Sequence, residues 1–370
     1  MEREKVLVAM SGGVDSSAVC LLLQEAGYDV VGMTLRVWDI PRQFADGGEP
    51  DFVRAARELA ARLDFPHHVV DEREAFREGV VRYFIEEYVA GRTPNPCVVC
   101  NRDFKFRKME EAADRWGCRY MATGHYVKTE RSGDRTYLLM GDDVRKDQSY
   151  FLWRVPQRTL SRCLFPLGGM AKSEVRAYLS RRGFDCQARQ SESMEICFVE
   201  NDYRDFLRRQ LPGLAESVEG GAFVDTTGRR IGSHHGVPFY TVGQRKGLGI
   251  ALGKPAYVVR LNADKNTVVL GDEADLKTSA FFAEDLQAVD EAAFFSSPGL
   301  AVRIRYHSKP VACRVERLAD GRLLVRTAET VSAVTPGQSA VFYVGNRLVG
   351  GAVIASQRGI GAYAEANAGE

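Results

Sequence analysis

Ser11-Gly12-Gly13-Val14-Asp15-Ser16-Ser17 follows the apolar run Val6-Leu7-Val8-Ala9-Met10. The run reads as a buried strand, and a helical pattern over residues 18–24 completes a strand, turn and helix. Adjacent glycines let the backbone turn tightly with its N–H groups exposed, Ser16 and Ser17 add hydroxyl donors, and the helix aims its positive end at the turn. That is an anion site suited to a phosphate chain. No lysine follows the glycines, so it is not the Walker pattern, whose lysine reaches the terminal phosphates.

The second reactive set is sulfur. Eight cysteines are scattered along the chain, which is not the spacing of a disulfide scaffold. Cys20 and Cys313 fall in an apolar helical run and a strand-like run. Cys118, Cys163 and Cys186 have no motif around them, and all five read as small core residues. Cys97 and Cys100 stand apart in Thr93-Pro94-Asn95-Pro96-Cys97-Val98-Val99-Cys100-Asn101, where two prolines hold the chain extended. Helical periodicity resumes over residues 102–116, with Phe106, Met109 and Ala113 on one face. Cys100 is therefore expected near a helix N-terminus, where a thiolate is favoured. A C-x-x-C pair is also half of a zinc site, but no second C-x-x-C or spaced histidine pair completes it. Cys197, in Ile196-Cys197-Phe198-Val199, reads on its own as a core residue.

The elements that must position these groups divide into two kinds. Up to about residue 153, strand-like runs at residues 6–10, 29–33, 67–70 and 119–123 alternate with helical stretches, which argues for a parallel sheet with helices on both faces. Ligands of such sheets bind beyond the carboxyl ends of the strands, and Ser11 and Gly124 both follow strands. Helices are expected over residues 172–182, stopped by Gly183, and 203–210, started by Asp202. After about residue 213 come short strands and turns with a glycine-rich basic loop, Gln244-Arg245-Lys246-Gly247-Leu248-Gly249. From Leu300 onward, alternating runs punctuated by Asp320-Gly321 and Gly345-Asn346 predict a small β-barrel.

Composition sets mild bounds: 370 residues, 45% hydrophobic, 27% charged and a net charge of +1 describe an ordinary globular chain. Basic clusters at Arg102, Lys105, Arg107 and Lys108, at Arg181 and Arg182, at Arg204, Arg208 and Arg209, and at Arg245 and Lys246 leave nucleic-acid binding open. No apolar run is long enough to cross a bilayer, and residues 1–5 lead into a strand and not a signal peptide. A cytoplasmic location with no membrane partner is expected.

The S-G-G-x-D-S loop resembles the pyrophosphate loop of the ATP-pyrophosphatases, which cleave ATP between the α and β phosphates and adenylate a carbonyl oxygen. Other segments extend the likeness over nearly the whole chain: Gly91-Arg92-Thr93-Pro94-Asn95-Pro96, Cys100-Asn101, Ala122-Thr123-Gly124-His125-Tyr126, Lys146-Asp147-Gln148-Ser149-Tyr150-Phe151-Leu152, Ile196-Cys197-Phe198, residues 243–250 and residues 334–340. Together they resemble the tRNA-specific 2-thiouridylases, which replace the C2 oxygen of the wobble uridine with sulfur. The resemblance implies an α/β fold: a doubly wound parallel-sheet PP-loop domain of the adenine nucleotide alpha hydrolase-like kind, a small mainly-β central domain and a C-terminal β-barrel. Their expected spans are residues 1–212, with a helical tRNA-binding extension from about 155, then 213–278 and 279–356, with 357–370 a frayed tail.

By the same resemblance Ala9, Met10, Ser11, Gly12, Gly13, Val14, Asp15 and Ser16, with Leu35 and Gly124, would hold ATP, and Asp15 would serve its Mg2+. Cys197 would carry a persulfide and Cys100 would be the nucleophile or resolving thiol. Asn95, Pro96 and Cys97 would lie at the target base; His125, Lys146, Asp147, Gln148, Arg305, Tyr306 and Gln338 would touch tRNA. The implied partners are tRNAs for Lys, Glu and Gln and a sulfur-relay protein or cysteine desulfurase.

Two positions depart from the family pattern. Leu35 replaces a methionine beside adenine, and either supplies an apolar wall. Cys97 replaces an aspartate and creates the C-x-x-C, so an alternative is a [4Fe-4S] cluster on Cys97, Cys100 and Cys197 that activates sulfide. More distant alternatives are a PP-loop synthetase that installs nitrogen, for which no glutaminase nucleophile motif is evident, and a non-enzymatic RNA-binding protein.

Overall fold

The apolar run before the glycine turn forms strand β1 (Lys5–Ala9), with Val6, Leu7 and Val8 fully buried. The computed structural model describes residues 3–44, 48–189, 196–251 and 253–357. By packing the chain divides into two units: residues 1–81, 97–200 and 346–349, and residues 82–96, 201–345 and 350–370.

In the first unit β1 is the centre of a parallel sheet with β2 (Asp29–Arg36), β3 (His67–Asp71), β4 (Tyr120–Ala122) and, after a hairpin of β5 (Val127–Ser132) and β6 (Arg135–Met140), β7 (Cys163–Leu164). The order is β3-β2-β1-β4-β7, and every neighbouring pair is parallel. Parallel neighbours need crossover connections, supplied here by the helices Val14–Glu25 and Asp51–Arg62. In the second of these, Val53, Ala56, Leu59 and Ala60 are buried and share one face. Val6, Val8, Val19, Leu59, Val175 and Leu179 belong to one core cluster, so the helix Lys172–Arg181 packs with the first crossover helix.

Strand order reverses between β1 and β4. The chain leaves β1 toward β2 on one side and enters β4 on the other, so the crevice at their carboxyl ends is the topological switch point. The glycine turn follows β1 and Thr123-Gly124 follows β4. The helix after the turn starts at Val14 and not at residue 18, which puts Asp15, Ser16 and Ser17 in its first turn.

The second unit contains a four-stranded sheet of β8 (Gly221–Val224), β9 (Arg230–His234), β10 (Tyr257–Asn262) and β11 (Thr267–Gly271), ordered β10-β11-β8-β9, with only β8 and β11 parallel. The helix Tyr203–Gln210 is capped as its sequence predicts, the Asp202 carboxylate accepting the Arg204 amide. Strands β12 (Lys277–Ala288), β13 (Leu300–Arg303), β14 (Val311–Arg317), β15 (Leu323–Ser332), β16 (Ser339–Val344) and β17 (Arg347–Ile354) run in the order β12-β15-β14-β13-β16-β17. Pairing of β12 with β17, with Ala283 opposite Ile354 and Gln287 opposite Gly351, closes them into a barrel. Closure removes the edge strands that would otherwise invite aggregation. The turns fall at Asp320-Gly321 and at residues 345–346, as the sequence indicates. The frayed tail expected after residue 357 lies outside the described residues.

Of the cysteines read as core, Cys20, Cys118 and Cys163 are buried. Cys186 is exposed and Cys313 half-buried. The short helix Asp185–Ala188 turns Cys186 outward and buries Ala188 instead.

Candidate active site

Two constraints fix Gly12 in the turn. Its φ is +68°, and a Cβ there would sit 2.3 Å from the carbonyl oxygen of Phe52. The following helix leaves the amides of its first turn without intrahelical carbonyls, the usual anion-binding feature of a helix start. The serine hydroxyls do not all face a ligand. Ser17 is 1% exposed and donates to the Gly13 carbonyl at 2.9 Å, so it braces the turn. Ser16 donates to the same carbonyl at 3.2 Å, its oxygen accepts from the Ser11 amide at 3.3 Å, and Ser11 itself is exposed. Of the other residues assigned to ATP, Met10 is buried, while Ala9 and Leu35, at the carboxyl ends of β1 and β2, are half-buried.

Asp15 is held by two groups that sequence reasoning passed over. Lys172 Nζ donates to Oδ1 at 2.7 Å and Oδ2 at 2.8 Å, and the Tyr126 hydroxyl donates to Oδ1 at 2.7 Å. Lys172 is only 9% exposed and lies 157 residues from Asp15 in sequence. The start of the helix Lys172–Arg181 thus brings a lysine to the aspartate of a loop that has none of its own. The one available signal was a lysine directly after Ala171 at a predicted helix start, where a cation opposes the helix dipole. Asp15 therefore accepts three hydrogen bonds, against a carboxylate capacity of about four. A hard carboxylate oxygen beside a phosphate site is a donor that suits Mg2+, whose other positions phosphate and water oxygens can fill.

One short segment joins this loop to the sulfur chemistry. A Cβ on Gly124 would lie 2.8 Å from the Asp15 Cβ and 3.4 Å from the Ser16 amide nitrogen, so only glycine lets the chain come this close. Next to it, His125 Nδ1 hydrogen-bonds the Thr123 hydroxyl at 2.6 Å, and its ring stacks with Phe106 at 6.0 Å and meets Phe165 edge-on at 6.3 Å. Burial, with the nearby Lys105 charge, holds its pKa well below the usual value, so the imidazole is neutral at pH 7.

Phe106 opens the helix Phe106–Arg115, directly after the π-helical stretch Cys100–Lys105 and the short helix Pro96–Val99. The thiols on this run differ from the expectation of a favoured thiolate. Desolvation of the sulfurs pushes Cys100 up to about 11 and Cys197 up to about 12, and also raises Cys97, even though Cys97 and Cys197 are exposed as whole residues. The expected helix start is displaced: Cys100 continues a helical run already begun at Pro96, so no free N-terminus stabilises its anion. The opposing influence is Lys105, whose charge lowers the pKa of all three thiols. Cys197 is in turn raised by Cys100 and Cys97, which places the three sulfurs within mutual electrostatic reach. They do not make a metal site: among the described residues no three His, Cys, Asp or Glu side chains are placed to hold an ion.

Asn101, 3% exposed, donates to the Phe151 carbonyl at 3.0 Å, while its Oδ1 is buried without a hydrogen-bond partner. It ties the thiol helix to the segment assigned to tRNA. Within that segment Asp147 is 2% exposed and its carboxylate accepts from the Gly141 and Ser149 amides and the Ser149 hydroxyl, so it shapes the turn. Gln148 and Lys146 are half-buried, and the Gln148 side chain accepts the Tyr126 amide at 3.0 Å.

In the second unit, Gln338 Nε2 donates to the carbonyls of Thr93 at 3.0 Å and Pro94 at 2.9 Å, and the Thr93 amide donates to the Pro336 carbonyl. Gln338 therefore holds the segment that leads to the buried Asn95 and to Pro96. Arg305 donates to the Ala333 carbonyl at 3.0 Å; Arg305 is exposed and Tyr306 half-buried.

A parallel sheet with a glycine turn and a clamped aspartate at its switch point defines a PP-loop nucleotide-binding protein of the HUP kind. Family models agree: one described as tRNA methyl transferase HUP domain matches residues 4–201, one described as tRNA methyl transferase PRC-barrel domain residues 204–272, and one described as aminomethyltransferase beta-barrel domain residues 279–354. The chain is 55% identical to tRNA-specific 2-thiouridylase MnmA 3 of Bacteroides fragilis, over 99% of this chain and 98% of that protein. It is 54% identical to the protein of the same name from Phocaeicola vulgatus, over 96% of both. A further relative, tRNA-specific 2-thiouridylase MnmA of Cytophaga hutchinsonii, is 42% identical over 96% of this chain and 98% of that protein. The chain belongs to the tRNA-specific 2-thiouridylase family. Among solved structures, a 4-thiouridine synthetase–RNA complex with bound ATP overlaps 57% of this chain and 51% of its own at 16% identity and a TM-score of 0.36, too loosely to add to this. Among the described residues, no helix is long and apolar enough to cross a membrane.

Two outcomes follow from this geometry. Lys172→Met removes both bonds from Lys172 to Asp15, and pyrophosphate release from ATP should fall about a hundredfold with far-UV circular dichroism unchanged; a rate within about threefold of the parent contradicts the assignment. Because burial raises both thiol pKa values, alkylation of Cys100 and Cys197 should keep accelerating through pH about 10 and be slower still in Lys105→Gln, whereas a plateau below pH about 9 contradicts it.

Proposed function

We propose that the chain thiolates the wobble uridine of tRNA at C2, first adenylating the C2 oxygen with ATP and then delivering sulfur from a persulfide on Cys197. The observation that carries this reading is the segment 123–126. Its Gly124 and Tyr126 touch Asp15 of the phosphate loop, and its His125 packs on Phe106 beside the thiol helix. Activation and sulfur delivery thus belong to one unit.

The C2 oxygen of uracil is a poor leaving group, and sulfur attack alone stalls at addition. Attack of that oxygen on the α phosphate of ATP makes it part of an AMP ester and releases pyrophosphate. The loop amides and Lys172 stabilise the charge that develops on the departing phosphates. Mg2+, held through Asp15, would supply further charge neutralisation there. The persulfide on Cys197 then attacks C2 and AMP leaves. Cys100 attacks the inner sulfur of Cys197, the S–S bond of the persulfide breaks, the outer sulfur stays on the base, and a Cys100–Cys197 disulfide remains for a reductant to open. Both thiols need help to ionise in this desolvated setting, and Lys105 is placed to give it.

Within the same reading, residues 1–212 form the catalytic part with its tRNA-binding extension, 213–278 the central domain and 279–356 the barrel. Gln338, Arg305 and Tyr306 of the second unit, with His125, Lys146 and Gln148 of the first, serve tRNA recognition: Gln338 by bracing residues 93–94, His125 as a neutral packed ring. The substrates are tRNAs for Lys, Glu and Gln, with a sulfur-relay protein or cysteine desulfurase as donor and a cytoplasmic location.

Nucleoside mass spectrometry after incubation of unmodified tRNA with ATP, Mg2+, a cysteine desulfurase and cysteine tests this. Cys197→Ser should abolish 2-thiouridine while still releasing pyrophosphate from ATP in the presence of tRNA. Persistent thiolation by Cys197→Ser, or thiolation by the parent only after iron and sulfide loading, contradicts the persulfide route.

A further inference from the structure

The C-x-x-C places a third sulfur where the proposed cycle has use for one. Cys97 lies in the helix Pro96–Val99 and Cys100 opens the stretch Cys100–Lys105, so the two are three residues apart on a continuous helical run. In an α-helix, residues three apart are side-chain neighbours with Cβ atoms about 5–6 Å apart, and this run turns π-helical only at Cys100. A small adjustment brings such a pair within disulfide range, about 3.5–4.5 Å between Cβ atoms. Cys97 is exposed and Cys100 half-buried, and both perturb Cys197.

Sulfur transfer as proposed above ends with Cys197 locked in a disulfide to Cys100, unable to accept the next sulfur. We infer that Cys97 resolves this disulfide internally, moving it from Cys100–Cys197 to Cys97–Cys100 and freeing Cys197 before any external reductant acts. This inference rests on Cys100 being the thiol that attacks the persulfide.

The step balances without an oxidant or reductant. The Cys97 thiolate attacks Sγ of Cys100, the Cys97–Cys100 bond forms as the Cys100–Cys197 bond breaks, and Cys197 departs as a thiolate that takes up the proton Cys97 released. A dithiol reductant later supplies two electrons and two protons to the Cys97–Cys100 disulfide and returns both thiols. Attack within one helical run has a high effective concentration, whereas an external thiol must diffuse to the disulfide. Lys105, whose charge acts on all three sulfurs, favours whichever one is the anion at each stage.

The test is one turnover of the full chain without reductant. The enzyme is loaded with sulfur by a cysteine desulfurase and cysteine, desalted, mixed with ATP, Mg2+ and unmodified tRNA, quenched with N-ethylmaleimide and mapped by non-reducing peptide mass spectrometry. The parent should give a Cys97–Cys100 peptide lighter by two hydrogens, with Cys197 alkylated. Cys97→Ser should give the Cys100 and Cys197 peptides cross-linked. A parent protein that retains the Cys100–Cys197 cross-link with Cys97 alkylated overturns the inference and leaves the thiolation reading intact. If Cys97→Ser makes thiouridine with Cys100 and Cys197 both alkylated, the resolving role of Cys100 falls, and the relay with it.

Discussion

Two side chains from separate elements, Lys172 and Tyr126, meet at the Asp15 carboxylate, and the organisation of the first unit follows from keeping them there. A half-buried carboxylate beside an anion site would be repelled by the phosphates it must serve unless a cation compensated it. Lys172 provides that cation from the start of the helix Lys172–Arg181, itself packed in the same core as β1 and the crossover helix. Tyr126 provides the second donor from the end of the segment after β4. Gly124 and Gly12 then follow as requirements of close approach, because a methyl group at either would collide with Asp15 or with Phe52.

The sulfur chemistry faces the opposite electrostatic problem. The thiols are desolvated and hold their protons more tightly than a free cysteine does. Their reactivity is then conditional on nearby charge that favours the thiolate. The π-helical stretch Cys100–Lys105 brings that charge. In a π-helix the hydrogen-bond step is five residues, so Lys105 stacks one turn beyond Cys100, a register an α-helix would not give.

Much of this was readable in the sequence because it rests on local rules. The glycine turn, the Asp202 cap, the hairpin turns and the alternation that closes the barrel are each set by residues within a few positions of one another. What sequence did not reveal depends on distance or on backbone register. Lys172 reaches Asp15 from 157 residues away, and its own neighbourhood marks it only as a lysine at a helix start. The helical run at Pro96 overrode the expected extended segment, and with it the expected thiolate at Cys100. Asp147 is written among polar residues yet is spent on backbone amides, because a buried turn needs an acceptor. Cys186 has no motif to mark it as exposed, and its short helix presents it outward.

If the phosphate loop activates the C2 oxygen of the target uridine as proposed, this oxygen leaves with AMP. Reaction of tRNA whose wobble uridine carries the heavy oxygen isotope at C2, followed by mass spectrometry of the AMP released, tests it directly. Complete transfer of the label into AMP is the predicted result. Unlabelled AMP, with the isotope found in water or pyrophosphate, would rule out adenylation of the C2 oxygen.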